Sequence, residues 1–183
     1  MNKTMVLASA LLLMSSLASA KSPDGTAPVE VQANQAVIQV NGIVCSFCAY
    51  GTEKNLSKLT FLDKSQFGNN GVLIDIETHR VTLALLPDQQ LNLPEVYRAI
   101  KKGGYDPVTF YVNLRGEVQK SGDRYLLTCS DNGQVFDISG SEAGRLVGQG
   151  VVRVHGKVDA EVVSTVQAGQ PIPIVVATDG VHR

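Results

Sequence analysis

Residues 36–59 read AVIQVNGIVCSFCAYGTEKNLSKL. Val37, Ile38, Val40, Ile43 and Val44 make residues 36–44 a strand that runs into a turn at Asn41-Gly42. Phe47, Tyr50, Leu56 and Leu59, with lysines between them, give residues 46–59 the spacing of a helix. Cys45 and Cys48 stand where the strand becomes the helix. Further along, residues 63–71 (DKSQFGNNG) read as a loop. Residues 72–77 and 80–86 alternate, with Val72, Ile74 and Ile76, then Val81, Leu83 and Leu85, on every second position. They predict two strands joined through Thr78-His79. Residues 93–102 (LPEVYRAIKK) open a second helix at Pro94 and close it before Gly103-Gly104. Residues 107–112 (PVTFYV) supply a last strand. The order is β-α-β-β-α-β, the split ferredoxin-like arrangement.

Beyond residue 112 the pattern changes. Strands are expected at 114–118, 124–129, 134–138, 151–158 and 172–178, with a hairpin turn at Asp131-Asn132-Gly133. Residues 139–148 (SGSEAGRLVG) are expected to form one short helix between the third and fourth of these strands. That pattern fits a small OB-like barrel. The fold class is therefore α+β: a ferredoxin-like domain over residues 35–112, then a β-rich, OB-like domain over 113–183.

Residues 1–34 precede this core. Lys3, an apolar run at 5–13 (MVLASALLL) and the small residues Ala18-Ser19-Ala20 make 1–20 a cleavable signal peptide, too short in its apolar part for a membrane span. Residues 21–34 follow as a flexible leader, its first part (KSPDGTAP) polar with two prolines and a glycine. Export to a bacterial periplasm is the expectation, with no membrane insertion once the signal is cut.

Composition removes several classes. With 44% hydrophobic residues and 18% charged, the chain is not disordered, collagenous or a coiled coil. Sixteen basic residues balance seventeen acidic ones without runs of one sign, so nothing favours nucleic acid as a partner. Three cysteines are too few for a disulfide-built scaffold.

The chemistry rests on Cys45-Ser46-Phe47-Cys48. Two residues between thiols let both sulfurs face one point when the second lies in the first turn of a helix. The helix N-terminus favours the thiolate. Three readings follow. Two thiolates without further ligands suit soft ions of low coordination number: Cu(I) first, then Hg(II), with Zn(II) asking for four ligands. The same pair is also suited to dithiol–disulfide exchange, or to a local disulfide that stiffens the turn. Element order favours metal over redox exchange, because the helix runs directly into two adjacent strands and no Trp precedes Cys45.

Residues 41–48 (NGIVCSFC) resemble the G-M-x-C-x-x-C loop of heavy-metal-associated (HMA) domains, found in copper chaperones, in the periplasmic mercury-binding protein and at the N-termini of metal-pumping P-type ATPases. Residues 53–59 resemble that family's first helix, 81–83 its third strand, and 99–106 (AIKKGGYD) the end of its second helix. The resemblance covers about residues 37–110. It implies that Cys45 and Cys48 are the metal ligands and that Tyr105 either approaches the metal loop or packs on the core as a turn aromatic. Two departures stand out. Ile43 replaces the family's Met, a buried anchor whose packing Ile preserves. The segment between Leu59 and Val72 is several residues longer than usual. No acidic residue lies in 42–48, so the feature of zinc- or cadmium-selective members is missing.

Other reactive residues carry less. Cys129 sits in a predicted strand and reads as a small buried hydrophobe. His79 reads as a solvated turn residue, His155 as a strand residue, and His182 lies near a terminus expected to fray. No catalytic triad, metalloprotease or nucleotide motif is present. The expected function is thus non-enzymatic: capture of a soft metal ion and its transfer to a metal transporter or another metal-binding protein. A thiol–disulfide redox protein, or an interaction protein with a structural Cys45–Cys48 disulfide, are the alternatives.

Overall fold

The computed structural model describes residues 29–182; the signal segment and the leader as far as residue 28 lie outside them. The described residues form an α+β fold, a mixed sheet with three α-helices. Strand β1 (Gln35–Asn41) leads into helix α1 (Ser46–Leu56), then β2 (Val72–Asp75), β3 (Arg80–Ala84), α2 (Leu93–Lys102) and β4 (Asp106–Ser121). The β-α-β-β-α-β order expected from the sequence is the order observed. In the second half come β5 (Arg124–Cys129), β6 (Val135–Ser139), β7 (Val151–Asp159), α3 (Ala160–Thr165) and β8 (Ile172–His182).

All strands join one sheet in the order β2-β3-β1-β4-β5-β6-β8-β7, with β4 and β7 also paired. Strands β4, β5, β6, β8 and β7 therefore close a ring, antiparallel throughout except at β6–β8. Strand β4 belongs to both parts. One edge pairs with β1 from Asp106 to Val112 and with β5 from Gly116 to Ser121. The other edge pairs with β7 from Thr109 to Glu117. The sequence reading breaks this strand between residues 112 and 114, whereas the structure runs through, because Phe110, Val112, Leu114, Gly116 and Val118 all bury on one face. Pro107 is tolerated at the irregularity in the β1–β4 register.

One apolar cluster spans both halves, from Ile38, Leu83 and Ile100 through Phe110 and Leu114 to Phe136 and Ile174. The closure of the ring depends on close backbone approaches. A Cβ on Gly116 would lie 2.1 Å from the carbonyl oxygen of Thr128, and one on Gly156 would lie 2.3 Å from Ile174 Cγ2.

Several boundaries differ from expectation. Helix α1 stops at Leu56, with the Ser57 amide donating to the Glu53 oxygen. The long segment after it is not a free loop: Phe61 and Leu62 are buried, Leu62 bridges Leu85, and the Asp63 amide donates to Ala84 O. Residues 143–146 form only a short 3-10 turn where the sequence predicts a helix. The sequence does not predict helix α3; its β-branched sequence AEVVST has low helix propensity, and burial of Ala160 and Val163 holds it. The last residues of the expected flexible leader are seated: Val31 is buried, and its carbonyl accepts from Asn113 Nδ2 at 2.8 Å. His182 lies in β8 rather than in a frayed end.

Helix α2 shows why the sequence reading of it holds. Asn92 caps it by accepting from the Glu95 amide at 3.1 Å, Pro94 lies in the first turn, and Lys101 and Lys102 sit where the dipole favours cations. Leu93, Val96 and Ile100 form its buried stripe.

Candidate functional site

Strand β1 ends at Asn41, and Gly42 adopts φ +93°, a conformation that suits glycine. The chain then turns across the sheet end. Ile43 is 1% exposed and anchors the loop in the core, the buried place expected for it from the sequence. Val44, Cys45, Ser46 and Phe47 are exposed, and Cys48 is half-buried in the first turn of α1.

Cys45 is the N-cap of α1. Its Sγ accepts the Cys48 amide at 3.2 Å, filling one of the helix's open donors. Thr52, the buried polar residue of α1, donates its hydroxyl to Cys48 O at 3.1 Å and so holds the first turn. The Cα atoms of Cys45 and Cys48 are 5.2 Å apart, and the two sulfurs are joined in a disulfide. The pair thus converges on one exposed point, as its spacing requires, in the oxidised state. A metal-binding form needs two electrons and yields two thiolates. Cys45 would then lie against the Cys48 amide and the positive end of α1, both of which stabilise a thiolate.

Two further residues fix the loop. A Cβ on Gly42 would lie 3.2 Å from Tyr105 Cδ1, so the Tyr105 ring packs on the start of the loop and also against the core. His79, expected as a solvated turn residue, is instead half-buried, with Nδ1 3.2 Å from the Ile43 carbonyl oxygen. Its φ of 54° lies in the left-handed region. Asp75 shapes that turn by accepting the amides of Glu77 and Thr78 at 2.9 and 3.1 Å. A polar residue between two strands is ordinarily solvent-facing, so nothing in the sequence marks His79 as a loop contact.

Around the sulfurs lies an apolar rim. Val44 is 69% exposed, Phe47 88% and Tyr50 63%. These three large apolar side chains stand out to solvent beside the cysteine pair. No acidic residue lies in the first turn of α1.

Cys129 is remote from the pair. It is partly buried against the core, and burial pushes its thiol up to about 11. Asn41 pairs with Asp106 and Cys129 with Gly116, so on the order of 30 Å of β4 separates them. Cys129 is therefore neither a third ligand nor an internal reductant for the disulfide. His155 lies in β7, as expected. Among the described residues no group of three or more His, Cys, Asp or Glu could hold a metal ion, and no helix is long and apolar enough to cross a membrane.

No family model and no curated protein matches the chain. Among solved structures, a protein titled CopZ metallochaperone aligns with 40% of this chain and 98% of its own, at 22% identity and a TM-score of 0.35.

Proposed function

We propose that this chain is an exported, non-enzymatic metal carrier that captures a soft ion on reduced Cys45 and Cys48, with Cu(I) first and Hg(II) next. Zn(II) fits less well, since two sulfurs leave half of its four positions open. The observation that carries the reading is the convergence of two sulfurs at the exposed mouth of α1, one of them half-buried and one at the N-cap. Low-coordinate binding leaves room for an incoming thiolate, so the ion passes by ligand exchange to a metal transporter or another metal-binding protein. The exposed rim of Val44, Phe47 and Tyr50 offers the transient contact such an exchange needs.

Export to the periplasm, through cleavage after Ala20, belongs to the same proposal. There the disulfide is the resting state, and an external dithiol must open it before metal enters. For the second half we infer an OB-like barrel in a protein-contact role. The closed strand ring with its parallel β6–β8 pair supports that inference, and the balanced charge of the chain argues against nucleic acid as its ligand.

The test is anaerobic titration of the reduced protein with Cu(I) against a competing chelator. One equivalent bound, and none by the Cys45→Ser/Cys48→Ser variant, supports the proposal. Absence of binding, or equal binding by the variant, refutes it. A second reading, dithiol–disulfide exchange, is favoured by the disulfide, one of whose residues, Cys45, is exposed. Rapid exchange with a protein dithiol, without metal affinity, would select it. A pair that stays oxidised under both treatments would leave a structural disulfide in an interaction protein.

A further inference from the structure

Strand β4 changes partner on one edge. Strand β1 leaves it after Val112 and β5 joins at Gly116. In the gap lies a cavity of about 210 Å³. Its walls are fixed. Asn132 Nδ2 donates to the oxygens of Pro87 and Gln89 at 3.3 and 2.7 Å, and the Gln134 side chain bonds both the amide and the oxygen of Leu91 at 2.8 Å. These bonds hold the β5–β6 turn against the segment before α2, so the space does not depend on a loose loop.

Two arginines line this cavity. Arg115 on β4 and Arg153 on β7 are directly opposed in the antiparallel register. Opposed residues hold their Cβ atoms roughly 5 Å apart on one face, and like charges there repel. Compensation is partial. Asp131 lies 3.6 Å from Arg115, while Arg153 meets the neutral Asn113 Oδ1 at 3.3 Å. Cys129, also in the wall, adds no negative charge at neutral pH, because burial holds it as the thiol. Among the described lining residues, two cations, Arg115 and Arg153, therefore face one anion, Asp131, around a partly open space.

We propose that the Arg115–Arg153 pair binds a small oxyanion, best a carboxylate, in this cavity. A carboxylate can bridge two guanidinium groups through parallel N–H···O bonds, replacing repulsion by two attractive contacts. The small, partly open space suits a small organic acid or an inorganic oxyanion. This site is independent of Cys45 and Cys48, and its failure leaves the metal proposal untouched.

The test is NMR titration of the purified protein with acetate, succinate and inorganic phosphate in separate arms at constant ionic strength. Saturable shifts are expected at the Nε–H groups of Arg115 and Arg153, with succinate or acetate ahead of phosphate. Phosphate leading would replace the carboxylate by an inorganic ligand and overturn that part of the proposal. Arg153→Gln should weaken binding at least tenfold while the thermal midpoint holds or rises, since the change relieves repulsion. Asp131→Asn should tighten binding severalfold, a gain that a purely structural role would not produce. Non-saturating shifts in all arms overturn the site, as do unchanged affinity in Arg153→Gln or weakened affinity in Asp131→Asn.

Discussion

The Nδ1 of His79 lies 3.2 Å from the carbonyl oxygen of Ile43, and so links the β2–β3 turn to the loop that carries Cys45. A carbonyl only accepts, so the bond requires the proton on Nδ1. His79 also holds a left-handed backbone, which Asn tolerates and β-branched residues do not. His79→Asn is therefore expected to lower stability by about 1 kcal/mol through loss of the bond, and His79→Val by roughly 1–2 kcal/mol more. Urea midpoints check the order. Equal loss in both variants would show that the backbone conformation contributes nothing.

The same turn depends on Asp75. Hydrogen bonds from Thr78, side chain first and then backbone, hold its carboxyl below the usual carboxylate range. The folded value lies below the unfolded one, so the contribution is fully present above the unfolded pKa of about 3.9 and is lost as pH falls through the folded value. Asp75→Ala should therefore be less stable than the parent at pH 6, with the gap closing below pH 4. Paired denaturation curves across that window measure it.

Gly116 meets Thr128 O where β5 joins β4. Gly116→Ala places a methyl group in space already taken by backbone. A loss of more than about 3 kcal/mol is expected, beyond the common range for single substitutions. Gly51→Ala serves as the control, since nothing lies within 4 Å of a Cβ there. Chemical denaturation of the two variants separates steric clash from any general effect of losing glycine.

Gln134 ties the two halves through paired bonds to Leu91. Gln134→Ala leaves a buried backbone amide and carbonyl without partners, at about 1–3 kcal/mol each. Hydrogen exchange should speed at Leu91 and along the start of α2 while α1 is little changed. Uniform acceleration throughout the chain would instead indicate global loss.

Cys129 has its thiol raised to about 11 by burial and, secondly, by Asp131. A raised acid pKa stabilises the fold below the unfolded value near 9 and loses that contribution as pH rises toward 11. At pH 8 the folded protein should react slowly with iodoacetamide at Cys129, with rates climbing above pH 10. Fast labelling at pH 8 would contradict the burial.

The first half was legible because its signals are local. Alternation at Val81 and Leu83, the Asn92–Pro94 helix start and the Gly103-Gly104 stop each act over a few residues, and the paired cysteines are close in sequence. The second half was legible as strands but not as connections. Helix α3 has a strand-like composition and is held by burial alone. His79 meets Ile43 only after β2 and β3 fold back beside β1. The opposition of Arg115 and Arg153 is a matter of register between strands far apart in the chain. The sequence reading splits β4 into two strands at 112–114; the alternation from Phe110 to Val118 is the signal that the strand runs through.

A sixteen-residue ribbon shared by both ends makes this molecule a poor source of interchangeable cassettes. Severing it near Asn113 would hand each fragment a raw, ungated edge, the kind of surface that recruits neighbouring chains into aggregates. Engineering of either end is better done by grafting onto the intact girder than by excision.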